Sequence, residues 1–303
     1  MTATELVTVP GASTRAPESD RRSRRTARTG RVRGFIKHVV LILIGLLMIY
    51  PLLWMVAGSF KPEALIFSDP SLIPSEWDFS HYSEGWNALA NPFNVYLLNS
   101  AIIVLGSLIG NLVTCSMAAY AFARLKFRGR GLFFGGMLLT LMIPIHVVIV
   151  PQYVLFSSLG WVNTFWPLIV PKFLATDAFF IFLMVQFFRG LPKELDEAAR
   201  IDGAGYWRTY AQVVLPLSVP ALATTAIFTF IWTWNDFFSQ LIFLTKPDVQ
   251  TAPVALSNYV DATSGSSWGS LFAMSVVTLI PVFIVFLVGQ RYLIRGIATT
   301  GLK

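Results

Sequence analysis

Six long apolar runs constrain this 303-residue chain more than any other feature. They lie near residues 38–58, 97–123, 132–156, 165–188, 216–238 and 269–290. Each reaches the roughly 20 apolar residues that an α-helix needs to cross a bilayer. A backbone in lipid must satisfy its own hydrogen bonds, and a helix does so within one segment. The expected fold is therefore an all-α membrane protein with six transmembrane helices. Composition agrees, with 55% hydrophobic and only 13% charged residues, where a soluble domain carries roughly 25% charged.

The distribution of Lys and Arg orients these spans. Arg15, Arg21, Arg22, Arg24, Arg25, Arg28, Arg31, Arg33 and Lys37 precede the first run. The stretch 124–131 holds Arg124, Lys126, Arg128 and Arg130, and 189–215 holds Arg189, Lys193, Arg200 and Arg208. Arg291, Arg295 and Lys303 end the chain. Twenty of 23 basic residues thus fall on one side of a six-span arrangement, which predicts both termini in the cytosol. The first outer loop instead carries Glu63, Asp69, Glu76, Asp78 and Glu84. A net charge of +7 placed this way fits membrane topology and excludes nucleic acid as the partner.

Residues 1–34 are Arg-rich and aperiodic, which predicts a disordered basic cytosolic tail. Residues 35–303 are expected to form a six-helix transmembrane domain, with a core at 95–290. The paired arginines do not fit a twin-Arg export signal, because no hydrophobic pair follows Arg25 and the next apolar run exceeds a cleaved signal's length. The outer loops 59–96 and 239–268 are long, and short interfacial helices and turns are expected there.

Few residues carry chemistry. Cys115 is the single cysteine, so no intrachain disulfide or cysteine metal site exists. His38, His81 and His146 are scattered, no HExxH occurs, and no catalytic or metal-binding residue is assigned. Gly106 and Gly110 form a GxxxG that lets another segment approach the second span closely. Pro144, Pro151, Pro167 and Pro171 are expected to kink the third and fourth spans. Lys172 and Asp177 lie within the fourth run, where ionisable groups mark a pathway or pair with a partner. On a straight helix they would sit about 140° apart, a poor geometry for pairing. Trp232 and the following Trp234, Asn235 and Asp236 read either as an interfacial aromatic belt or as a sugar contact. Lys172, Asp177, Trp234, Asn235 and Asp236 are the candidate translocation-pathway residues.

The most specific stretch is 197–216, EAARIDGAGYWRTYAQVVLP. Acidic Glu194, Asp196 and Glu197 suit a helix N-terminus, and Gly203 suits a left-handed stop. A short helix over about 192–204 is expected. Glu197, Ala198, Ala199, Asp202, Gly203 and Ala204, followed by Leu215 and Pro216, resemble the "EAA loop" of ABC importer permeases. Further likeness to carbohydrate permeases of the maltose-transporter type runs from about residue 35 to Lys303. It rests on Met142-Ile143-Pro144, Val150-Pro151 with Tyr153, Gly160 with Asn163-Thr164, Trp234-Asn235-Asp236-Phe237, and Gln290-Arg291-Tyr292 with Gly296 and Gly301-Leu302-Lys303.

That resemblance implies a type I ABC importer permease in a bacterial or archaeal cytoplasmic membrane. It implies three partners: a second homologous permease, a cytosolic ABC ATPase dimer and an extracellular or periplasmic sugar-binding protein. The EAA residues would couple to the ATPase. The chain has no GxxxxGK[ST] phosphate loop, so ATP and Mg would be used by the partner and no cofactor by this chain. A glycerol-phosphate importer is the nearest alternative. A secondary transporter would need its own ion site and usually internal repeats, and no matching halves are visible.

Overall fold

The computed structural model describes residues 18–260 and 267–300, with side chains from 34 to 292. The helices in chain order are α1 (Glu18–Gly58), α2 (Ser80–Asn87), α3 (Phe93–Arg124), α4 (Arg130–Thr140), α5 (Ile145–Ser158), α6 (Trp166–Ile169) and α7 (Ala178–Gly190). After them come α8 (Glu194–Ile201), α9 (Tyr206–Thr209), α10 (Leu215–Leu217), α11 (Val219–Trp234), α12 (Phe238–Phe243), α13 (Ala252–Ser257) and α14 (Trp268–Thr300). No strand occurs among the described residues.

Four stretches are long and apolar enough to cross a membrane: Gly34–Gly58, Phe93–Arg124, Trp166–Gly190 and Trp268–Tyr292. Two further pairs qualify only jointly. Arg130–Thr140 and Ile145–Ser158 meet at 99°, and Tyr206–Leu217 meets Val219–Trp234 at 77°. The total is six if each bent pair is one crossing. The bends fall where proline removes backbone donors: Pro144 caps α5, and Pro216 and Pro220 flank the second break. Pro151 instead lies inside an unbroken α5.

Residues 1–54 and 55–303 form separate units. Helix α1 begins at Glu18, inside the stretch expected to be a disordered tail. Arginine is a good helix former, and extending an existing helix avoids the cost of nucleation. Residues 1–17 of that tail lie outside the described residues, as do 301–303 of the C-terminal motif.

In the second unit, α3 is the central element and packs against α7 and α11. Cys115, Ala119 and Tyr120 of α3 meet Phe180, Met184 and Phe188 of α7 in one buried cluster. The GxxxG behaves as expected. A Cβ on Gly106 would lie 2.9 Å from Ile169, and one on Gly110 would lie 2.9 Å from the backbone carbon of Lys172. Thr114, one turn further along, donates to the Lys172 carbonyl at 2.8 Å. The stripe Gly106–Gly110–Thr114 thus seats the segment 169–172 directly on α3.

The loops are held by polar nodes. Lys61 is 1% exposed, and its Nζ donates to the carbonyls of Asp69 (2.5 Å) and Ser71 (2.7 Å). Glu63 accepts from Trp268 N (2.7 Å) and Gly269 N (2.9 Å), capping the N-terminus of α14 from more than 200 positions earlier in the chain. Asn163 sits at φ 61°. Its Oδ1 accepts from Thr245 N, Thr245 Oγ1 and Lys246 N at 2.7–2.9 Å. Asn99 Nδ2 donates to the carbonyls of Asp248 and Gln250. These bonds fasten the segment 245–250 to α3 and to the loop between α5 and α6.

Candidate functional site

The first candidate site is the short helix α8 and the turn after it. Glu194, Asp196 and Glu197 occupy its first turn, where the free amides and helix dipole favour carboxylates. Gly203 takes φ +77°. Its N–H bonds the Arg200 carbonyl at 3.0 Å, and the Ala204 N–H bonds the Ala199 carbonyl at 2.8 Å. This pair of bonds is a Schellman stop, which requires a left-handed residue at the position of Gly203. The six EAA residues are thereby sorted. Ala199 is buried against the bundle, while Glu197, Ala198, Asp202 and Gly203 are exposed and Ala204 is half-buried. Of the two adjacent alanines, only Ala198 faces outward.

An ion pair holds α8 to the bundle. Arg124 Nη1 donates to Asp196 Oδ2 at 2.9 Å, and Arg124 Nη2 donates to the Leu191 carbonyl at 2.8 Å. The two side chains are 6% and 18% exposed. Arg124 Nε and Asp196 Oδ1 are buried without a protein partner. Both border a cavity of about 210 Å³ that Tyr120, Arg200, Gly205 and Tyr206 also line. Arg200 lies over the Tyr206 ring at 5.9 Å. Ile201, Tyr206 and Trp207 are 87%, 62% and 69% exposed, an apolar fringe on an otherwise charged helix–turn unit. Behind it, the Tyr210 and Ser116 hydroxyls bond at 2.7 Å. Residues Tyr210–Val214 form a π-helical turn leading to the 77° break. The Arg124–Asp196 link escaped the sequence reading, because the partners are 72 positions apart.

The second candidate site is polar and lies within the spans. Lys172 and Asp177 are paired, with Nζ 3.1 Å from Oδ1 and 2.9 Å from Oδ2. This corrects the straight-helix expectation. The segment Val170–Leu174 is a 3₁₀ turn and Ala175 takes φ 53°, so the regular α-helix is interrupted before Asp177 starts α7. Asn111 Nδ2 donates to Asp177 Oδ2 at 2.6 Å and to Thr229 Oγ1 at 3.2 Å. A cluster of four polar side chains thus joins α3, the broken helix and α11. Asn111 and Thr229 were missed by sequence reading; a lone amide beside the GxxxG was the available signal.

Trp234 and Asn235 separate from this cluster, while Asp236 stays close enough to Lys172 for their charges to interact. Trp234 is 4% exposed, donates to the Thr278 carbonyl at 3.2 Å and stacks on Phe230. It therefore packs α11 against α14. Asn235 donates to its own helix at Ile231, and Asp236 accepts from Ser239 N at 3.1 Å. The His146 and Phe238 rings lie 4.9 Å apart, tilted by 43°.

A membrane protein with a self-contained helix–turn projection beside its central span is the class these features define. The family described as "Binding-protein-dependent transport system inner membrane component" matches residues 110–299, and the chain belongs to it. The chain is 38% identical over 257 residues to the diacetylchitobiose uptake system permease protein NgcG of Streptomyces coelicolor, covering 84% of each. It is 33% identical to the trehalose/maltose transport system permease protein MalG of Thermococcus litoralis, over 88% of this chain and 98% of the relative. The sn-glycerol-3-phosphate transport system permease protein UgpE of Yersinia pestis is 34% identical, over 86% of this chain and 94% of the relative. Among solved structures, a chain of a bacterial ABC transporter involved in the import of the acidic polysaccharide alginate superposes with a TM-score of 0.78 at 26% identity. That match covers 88% of this chain and 98% of the other. The protein is an integral membrane component of an ABC transporter.

Proposed function

We propose that the chain is the membrane-spanning permease subunit of an ATP-driven importer for a sugar or oligosaccharide. An extracellular or periplasmic binding protein delivers the substrate, and a second homologous permease completes the path. The chain crosses the cytoplasmic membrane of a bacterium or archaeon six times, with both termini in the cytosol. It binds no ATP itself; a cytosolic ABC ATPase dimer supplies the energy with ATP and Mg.

The observation that carries this reading is the α8–Gly203 unit. A helix of eight residues is too short to be stable alone, yet it is stopped by a Schellman turn and tied to α3 through Arg124–Asp196. It presents Glu197, Ala198, Asp202 and Gly203 outward with Ile201, Tyr206 and Trp207 beside them. Such a unit fits a groove on another protein and passes that protein's movement to α3. The broken pair at Ser218 and the π-helical turn give the movement a place to bend. ATP-driven closure of the ATPase dimer would then swing the spans from inward-open to outward-open.

The glycerol-phosphate alternative has a relative in its favour. A phosphate dianion, however, calls for an unpaired cation, and Lys172 is neutralised by Asp177. Sugar is the better-supported cargo.

Glu197→Lys and Gly203→Pro test the coupling role. Both variants should insert at normal levels, lose co-purification with the ATPase and lose uptake. Normal uptake at normal abundance would refute the assignment.

A further inference from the structure

The loop that leaves α1 at Gly58 is pinned from within yet carries large apolar side chains outward. Lys61 holds the carbonyls of Asp69 and Ser71, and Glu63 ties the loop to the first residues of α14. The Asp78 N–H donates to the Phe60 carbonyl at 2.8 Å, which closes the loop on itself. Trp77 and Phe79 stack on each other, with centroids 6.1 Å apart and planes at 16°. Both rest on the Phe60 ring, at 5.8 Å and 5.4 Å. The carboxylate of the intervening Asp78 is engaged with α2, where it accepts from Ser80 N at 2.8 Å. Trp77 and Phe79 stay 59% and 62% exposed, and Ile73, four residues before Trp77, is 77% exposed.

The height of this surface in the bilayer follows from α14. Its apolar stretch Trp268–Tyr292 has 25 residues, about 37 Å at 1.5 Å per residue. That exceeds a hydrocarbon core of about 30 Å by about 7 Å, less than the two headgroup layers add. The Trp268 end therefore stands in a headgroup layer. Glu63 is bonded to that end, and a Cβ on Gly58 would lie 2.8 Å from the Phe272 ring, one turn further along α14. Phe60 lies between these two contacts in the chain, and the Trp77–Phe79 pair rests on it. The pair is thus held level with the boundary between lipid headgroups and acyl chains.

We propose that Ile73, Trp77 and Phe79 form an anchor that dips into the headgroup–acyl boundary of the phospholipid bilayer. A fixed, exposed apolar patch marks a contact with membrane or protein, and the height decides for membrane. A surface that receives a water-borne protein stands beyond the headgroups, whereas this one lies among them. Tryptophan suits that boundary, because its ring body is apolar and its indole N–H is polar. Glu63 makes the loop one piece with the start of α14, so the anchor also sets the height of that helix. Either face of a bilayer offers such a boundary, so the anchor requires membrane insertion and neither a given orientation nor a given cargo.

Spin labels report the depth directly. The assembled transporter carries Ile73→Cys or Phe79→Cys, each labelled and placed in phosphatidylcholine nanodiscs; Cys115 is buried and serves as the unlabelled background. Relaxation by oxygen, which concentrates in lipid, is compared with relaxation by a water-soluble nickel chelate. Oxygen should exceed the chelate at least threefold at both positions. A chelate effect equal to or above that of oxygen places the patch in water and overturns the anchor. Shielding from both relaxants means that protein covers the patch, and it also overturns the anchor. Adding Trp77→Ser and Phe79→Ser to the Ile73 label should halve the ratio or lower it further, while Trp77→Tyr should keep it. An unchanged ratio in the double serine variant overturns the role given to the aromatic pair.

Discussion

Asp196→Ala is the sharpest probe of how α8 is fixed to the transporter. The substitution removes the carboxylate that Arg124 meets at 2.9 Å and leaves a guanidinium only 6% exposed with the Leu191 carbonyl as its remaining partner. Breaking a buried pair from one side costs roughly 3–5 kcal/mol, mostly for the charge left behind. Asp196 is 18% exposed, so the low end, about 3 kcal/mol, applies. The cost falls on α8 locally, because an eight-residue helix has little stability of its own. A shift of that size raises the undocked population by about two orders of magnitude. Hydrogen exchange of amides in 197–204 is the assay. Their protection should drop by about 100-fold, while amides of α3 and α7 keep theirs. The double variant Arg124→Leu with Asp196→Ala should recover part of the loss, since no orphan charge remains. A change under about threefold in the single variant, or a double variant worse than the sum of singles, would refute the reasoning.

Two other outcomes follow from the structure. Gly110→Ala should lower the unfolding midpoint more than Gly106→Ala, by an amount corresponding to about 1–3 kcal/mol of overpacking. Its Cβ would meet the fixed backbone of Lys172 at 2.9 Å, whereas that of Gly106 meets the movable side chain of Ile169; thermal unfolding in detergent measures both. In the loop between α1 and α2, the Ser71 hydroxyl and backbone N–H, with a smaller contribution from Lys61, hold the Asp69 carboxyl below its ordinary value of 3.8. A lowered folded value means stabilisation that is complete above the ordinary value and lost as pH falls through the folded one. Protease cleavage within 62–73 should therefore rise below pH 3.8 and should do so less in Ser71→Ala, where the difference is smaller.

Much was legible in one dimension. Long apolar runs and their flanking arginines fixed the class, because bilayer thickness and backbone hydrogen bonding leave few alternatives. The short helix α8 was legible for a different reason: its acidic first turn and its glycine stop act within one turn of the chain. Gly203 at φ +77° is the conformation its sequence position calls for. The GxxxG was legible too, as a close approach, though not what would approach it.

What the sequence could not decide depended on partners distant along the chain or on departures from regular helix. Lys172 and Asp177 looked badly placed to pair because periodicity assumes a straight helix; the break at Ala175 brought them together. Trp232 and Trp234 are equivalent as letters. Only the packing of α14 buries the second, while the first stays half exposed against Phe179 and Phe180. Arg124 and Asp196, Glu63 and the start of α14, and Asn163 and Lys246 are likewise joined by the tertiary fold alone. Local rules specify each helix and its ends. Which polar groups meet between helices is set by how those helices pack.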